Sequence, residues 1–214
     1  KPTLQVPKKR VRYLLKKVFL GFAASSFIIV IPQLLIFLIL GIKNGFKGIG
    51  TPVLLTKNFL TWSLSKDTIL ELRDFPWFSE LGLSKYPVSW LPNNNLLEGM
   101  EFVPLWKFLL LALIMLVLFT LFCSVLALLI SVVFKNEILA QVAAVGIFIF
   151  GSTFNRIFPK LKTSPLDLFT KADVIPILEG SHCSTYLSSI AALLAATILL
   201  FALSALIFER QDIK

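Results

Sequence analysis

Charge is scarce in this chain. Of its 214 residues only 15% are Asp, Glu, Lys or Arg, whereas a soluble domain of ordinary composition carries about 25%. That is too little charge to clothe a water-soluble globule of this length. Histidine occurs once, as His182, and cysteine twice, as Cys123 and Cys183. A single histidine with no Cys-x-x-Cys pair leaves no metal-ligand set for zinc. The phosphate-cradling Gly-x-x-x-x-Gly-Lys-Ser/Thr is missing, as are His-Glu-x-x-His and Gly-x-Ser-x-Gly. Nucleotide hydrolysis, zinc-protease and nucleophile-elbow chemistry are therefore excluded on the motifs that carry them. His182 and Cys183 are neighbours, but no third residue orients them as a nucleophile and base. The chain reads as non-enzymatic, with no catalytic residue and no metal site.

What it has instead is long uncharged runs. Residues 18–42, 108–134, 138–155 and 180–208 contain no Asp, Glu, Lys or Arg. About 20 apolar residues cross the hydrocarbon as a helix, so four spans are expected, the third being the shortest. The run 108–134 would be roughly 40 Å long as a helix against a core of ~30 Å, so it tilts or projects into the headgroups. A secretory signal is a poor account of the first run, because 25 uncharged residues exceed the roughly 7–15 of a signal core. The sequence thus predicts an all-α polytopic membrane protein with about four transmembrane helices. Cys123 would lie some 20 Å deeper than Cys183, beyond the reach of a disulfide.

The net charge of +9 has a local origin: seven of the 21 basic residues lie in the first 17 positions. A basic cluster just before a span marks the cytoplasmic side and favours anionic lipid. Nothing beside it reads grooves or stacks bases, so nucleic acid is not an expected partner. Within it, Val11, Leu14, Leu15 and Val18 recur at helical spacing, with Lys8, Lys9, Arg12 and Lys16 mostly off that stripe. This predicts an amphipathic elbow helix that rests on the inner leaflet and bends into the first span.

With the N-terminus inside, the expected order is a cytoplasmic elbow at 1–17, span 1 at 18–42 and an external segment at 43–104. Span 2 follows at 105–134, a cytoplasmic turn at 135–137, span 3 at 138–156, an external connector at 157–184, span 4 at 185–208 and a cytoplasmic tail at 209–214. Arg156, Lys160, Lys162 and Lys171 fall outside in this order, although the inside set is denser near the membrane. Segment 43–104 balances six basic against six acidic residues and holds Trp62, Trp77 and Trp90. Tryptophan favours the interface, so a cap anchored on the leaflet is expected rather than a substrate-contacting domain.

Inside the spans ionisable residues are lacking, which argues against a proton-coupled carrier or a charged ion filter. Pro32 is expected to kink span 1. Thr120, Ser124 and Ser131 share one predicted face of span 2, and Ser188, Ala192, Ala195 and Ala196 have packing spacing in span 4. Close helix contact is the simpler account of both faces, and a weakly polar translocation path is the alternative. In "SPLDLFTKADVIPILEG" at 164–180, Pro165 and Pro176 would bracket a short helix. Its apolar residues Leu166, Leu168, Phe169, Val174 and Ile175 would rest in the interface, with Asp167, Lys171 and Asp173 in water.

Residues 104–214 resemble the membrane subunit of type-2 ABC exporters, the permeases of bacterial multidrug and antimicrobial-peptide export or immunity systems. The likeness rests on the order of "LALLISVVFKNEILAQ", an apolar span, "SPLDLFTKADVIPILEG" and a final Leu/Ala-rich span ending "LIFERQDIK". It implies a separate cytoplasmic ATPase that binds ATP and Mg, and a second permease subunit, identical or not, in the bacterial cytoplasmic membrane. Residues contacting the ATPase would be Lys8, Lys9, Arg10, Arg12 and Lys16 of the elbow with Lys135, Asn136 and Glu137 of the turn. Pro165, Phe169 and Pro176 would help to gate the external exit. The family usually has six spans, with its main coupling loop between the second and third. Four spans and a large segment after the first also resemble the mechanotransmitting ABC subunits, which move no substrate across the bilayer. A membrane scaffold without an ATPase is the reading from a different class.

Overall fold

The structure is a computed structural model that describes residues 7–56, 100–134, 136–157, 167–178 and 184–210. The first helix, α1, runs without a break over Pro7–Lys43, 37 residues or about 55 Å at the helical rise. The expected elbow and first span are thus parts of one continuous helix, and Pro32 lies inside it. Two strands follow, β1 (Pro52–Thr56) and β2 (Met100–Pro104). Then come α2 (Leu105–Val133), α3 (Glu137–Ile157), a 3₁₀ turn (Phe169–Ala172), α4 (Val174–Leu178) and α5 (Tyr186–Arg210).

Three of these helices contain a stretch long and apolar enough to cross a membrane: Val11–Lys43, Leu105–Val133 and Tyr186–Arg210. The molecule is accordingly a mostly helical integral membrane protein. The apolar part of α3, Glu137–Gly151, is shorter. Most side chains of the first span are exposed, including Phe27, Ile28, Leu34–Leu40 and Ile42. For such a surface hydrocarbon is the favourable surrounding.

The all-α expectation needs one correction. β1 and β2 pair antiparallel, with Pro52 opposite Pro104, Val53 opposite Val103 and Thr56 opposite Met100, and Leu55 and Val103 are buried. Each strand has five residues, too few for an alternating pattern to be read with confidence over a helical or irregular one. Their partnership is also non-local, so neither segment alone signals it. Both prolines sit at the end of the ladder, where a missing N–H is tolerated.

The chain divides into two compact units. In the first, Lys1–Leu38, Val117–Phe154 and Leu193–Lys214, Leu14 of α1 is buried with Leu128 and Val132 of α2. Val18, Phe201, Ala205, Ile207 and Phe208 pack around them. Tyr13 stacks on Phe208 with ring centroids 6.3 Å apart, and the Lys17 ammonium lies 5.1 Å from the Tyr13 ring centre.

In the second unit, Ile39–Leu116 and Asn155–Ala192, α1 ends where the backbone turns left-handed at Gly45 and Phe46, φ 63° and 53°. The Phe46 N–H donates to the Gly41 carbonyl at 2.8 Å, satisfying one of the helix's last acceptors. Two amides at the start of α2 find their acceptors in the same turn: Leu105 N–H donates to Thr51 at 3.0 Å and Trp106 N–H to Ile49 at 3.3 Å.

Candidate functional site in the connector before the last helix

The connector residues 167–178 carry the densest buried polar chemistry among the described residues. Asp167 opens it: its Oδ1 accepts the N–H groups of Phe169 at 3.2 Å and Thr170 at 3.3 Å. The Thr170 hydroxyl donates back to the Asp167 carbonyl at 2.9 Å. A short acid accepting amides two and three residues on is the Asx arrangement that starts a turn, and here it starts the 3₁₀ turn. After Asp173, whose N–H donates to Thr170 at 3.1 Å, the chain enters α4. Val174, Ile177 and Leu178 of α4 are buried. Burial of such side chains contributes about 1.5–3 kcal/mol each.

This burial takes two charged groups with it. Lys171 is 1% exposed and Asp167 9%, so the expectation that both stand in water is overturned. Asp173 is exposed as expected, while Val174 turns inward and Ile175 outward. The physical reason is tertiary: the packed side of this short segment is set by what it rests on. Lys171 Nζ donates to Ser184 Oγ at 3.0 Å, and Ser184 is itself 2% exposed. Asp167 Oδ2 is buried with no hydrogen-bond partner. Taking an ion out of water costs several kcal/mol before compensation, and the hydrogen bonds on Lys171 Nζ and Asp167 Oδ1 supply part of that compensation.

Ser184 lies two residues before the start of α5. The Thr185 hydroxyl accepts the Ser188 N–H at 3.1 Å, an N-cap. Tyr186 then donates its hydroxyl to the Leu111 carbonyl of α2 at 2.8 Å. The Lys171–Ser184 bond thereby joins the connector to the head of α5, and the Tyr186–Leu111 bond joins that head to α2.

The residues singled out in the sequence fare unequally. Pro176 lies inside α4 and does not end it, because within the first turn its missing N–H costs nothing. Phe169 is half-buried and Pro165 lies outside the described residues. Thr120 is buried, Ser124 half-buried and Ser131 exposed. The Ser124 hydroxyl donates to the Thr120 carbonyl and that of Ser131 to Leu128, each at 2.8 Å within its own helix. Ser188 is exposed, with its hydroxyl on the Thr185 carbonyl at 3.0 Å, and Ala192 is half-buried. The buried stripe of α5 runs instead through Tyr186, Ser189, Leu193, Thr197 and Ser204. A helical-wheel search seeded on tyrosine would have found it.

At the other end of α2, Arg12 and Lys16 are exposed, as are Asn136 and Glu137. Asn136 Oδ1 accepts the Ile138 N–H at 2.9 Å and so caps α3, with Glu137 in its first turn, where the helix dipole favours an acid. The side chains of Lys8, Lys9 and Arg10, and all of Lys135, lie outside the described residues, as do His182 and Cys183. The packing of Leu14 on Leu128 and Val132 puts the basic start of α1 at the same end of α2 as the turn into α3. No protein family, curated protein or solved structure matches this chain.

Proposed function

We propose that the chain is the permease subunit of an ATP-driven exporter of the type-2 ABC kind, moving a hydrophobic or amphipathic peptide, lipid or drug. In this reading α3 is the third of four spans, the N-terminus lies in the cytoplasm of a bacterial cell, and the connector 167–178 faces outside. ATP and Mg are bound by a separate cytoplasmic ATPase, and a second permease subunit completes the pathway. The observation that carries the reading is the connector: a folded, buried polar element immediately before the last span, where an exporter needs an exit that closes. The basic start of α1 and the α2–α3 turn share one end, which supports a common docking surface for the ATPase.

A second reading, a mechanotransmitting ABC subunit, is favoured by the pairing of β1 with β2. That ladder joins the two ends of residues 57–99, as the base of an external module would require.

Purification of the full-length protein in mild detergent, with mass spectrometry of its companions and an ATPase assay, tests both. A stoichiometric Walker-motif subunit with ATP turnover is the expected result. Its absence across several detergents would leave a membrane scaffold as the better account.

A further inference from the structure

The corner where α1 ends and α2 begins carries lysines and no acid of its own. Lys43 closes the last turn of α1, Lys47 follows within the turn, and Lys107 lies in the first turn of α2, which holds no acid. Residues 43–51 contain no Asp or Glu. The nearest acid along the chain, Glu101, stands opposite Leu55, about 10 Å down the ladder from the Pro52–Pro104 end. A lysine at the end of α1 complements the helix dipole, whereas one at the head of α2 opposes it. An anion at this corner would satisfy all three ammonium groups and the head of α2 together.

Backbone hydrogen bonds bring these lysines into one place. The Thr51 and Ile49 carbonyls hold the N–H groups of Leu105 and Trp106, so Lys107 follows directly on a contact whose other side lies two residues from Lys47. The turn is well fixed: Ile49 N–H donates to Phe46 and Thr51 N–H to Gly48, each at 3.1 Å. The Phe46 ring fills the space where a Cβ on Gly41 would stand. Lys43 and Lys47 are exposed and Lys107 is half-buried. Phe46 and Trp106 are exposed beside them, with Ile42 and Leu110 exposed on the span side. Ammonium groups above an exposed apolar surface, with an indole at the boundary, match a phospholipid of negative charge. An acidic protein partner would match the charge but not the apolar surface next to it.

We infer that this corner binds the headgroup of an anionic phospholipid, with Lys43, Lys47 and Lys107 on the phosphate and the acyl chains along Ile42 and Leu110. The site needs neither the exporter reading nor a particular orientation of the chain, because it belongs to one end of α1 and α2 whichever leaflet holds it.

Hydrogen–deuterium exchange of the full chain in neutral detergent, titrated with phosphatidylglycerol, tests it on peptides covering residues 39–51 and 105–110. Exchange there slows as the anionic lipid is added, and phosphatidylcholine at the same concentration leaves it unchanged. The lipid concentration for half-maximal slowing rises about fivefold in each of Lys43→Gln, Lys47→Gln and Lys107→Gln, the scale of one lysine near an anionic surface. It stays in place when all three are replaced by Arg, and also in Arg12→Gln with Lys16→Gln at the opposite end of α1. Equal slowing by phosphatidylcholine would make the corner an ordinary interfacial anchor and overturn the inference. So would Gln variants that respond like the wild type, or an equal shift in the Arg12 and Lys16 variant, which would trace the effect to overall charge. Equal slowing by soluble glycerol phosphate would overturn the assignment to a lipid. The exporter reading fails by a different result, the missing ATPase, which leaves this titration untouched.

Discussion

Tyr186 and Ser189 occupy the same buried stripe of α5 with opposite consequences. The Tyr186 hydroxyl donates to the Leu111 carbonyl, which lies inside α2 and keeps its helical partner, so Tyr186→Phe removes one hydrogen bond and costs about 0.5–1.5 kcal/mol. Thermal unfolding in detergent should show a clear drop in Tm, and an unchanged Tm would mean the bond contributes nothing. Ser189 is fully buried and its hydroxyl has no partner. Ser189→Ala removes that orphan and should raise stability by up to about 1 kcal/mol; a loss of stability in the same assay would show that the hydroxyl is used. Residue types in the sequence identify both as small or polar groups in an apolar helix. Which of Ser188 and Ser189 turns inward is a matter of one residue, roughly 100° of rotation, and composition does not resolve it.

At the scale of elements, the two ends of α1 answer to different physics. Gly21 lies mid-helix with open space where a Cβ would stand, so Gly21→Ala should stabilise by about 0.5–1 kcal/mol through helix propensity alone. Gly45 has φ +63°, and Gly45→Ala should destabilise by about 1–2 kcal/mol because a side chain disfavours that backbone. Chemical denaturation of the two variants side by side should give shifts of opposite sign; a matching sign would remove the left-handed turn as the stop of α1. The helices themselves were legible, because α2 and α5 coincide with runs that carry almost no charge. The β1–β2 ladder was not, since its strands are short and their partners lie far apart in sequence. Nor was the continuity of α1, where a change from basic to apolar composition suggested a joint that the backbone does not make.

For the whole molecule, the distribution of charge sets the functional test. Replacing Lys8, Lys9, Arg10 and Arg12 with Glu reverses the basic start of α1 and, in the exporter reading, should reduce co-purified ATPase about tenfold or more, the scale on which like-charge juxtaposition opposes docking. Undiminished co-purification would take this segment out of the coupling surface. Because exposed charges are screened by salt, the wild-type association should weaken as ionic strength rises. A salt-independent association would point to an apolar contact instead.

Membrane insertion was determined by the sequence alone. Uncharged runs of this length have no stable place in water, and the helix is the form in which a single segment satisfies its own backbone in hydrocarbon. The basic residues at the start of α1 are likewise a property of the sequence, since charge density needs no fold to be read. The connector was decided by tertiary structure. Asp167 and Lys171 look like the wet side of a loop, because charge normally means exposure. Only packing brings Ser184 to within 3.0 Å of Lys171 Nζ and closes the segment over both charges. Burial is a relation between distant parts of the chain, and no local pattern in residues 167–178 contains the partner that creates it.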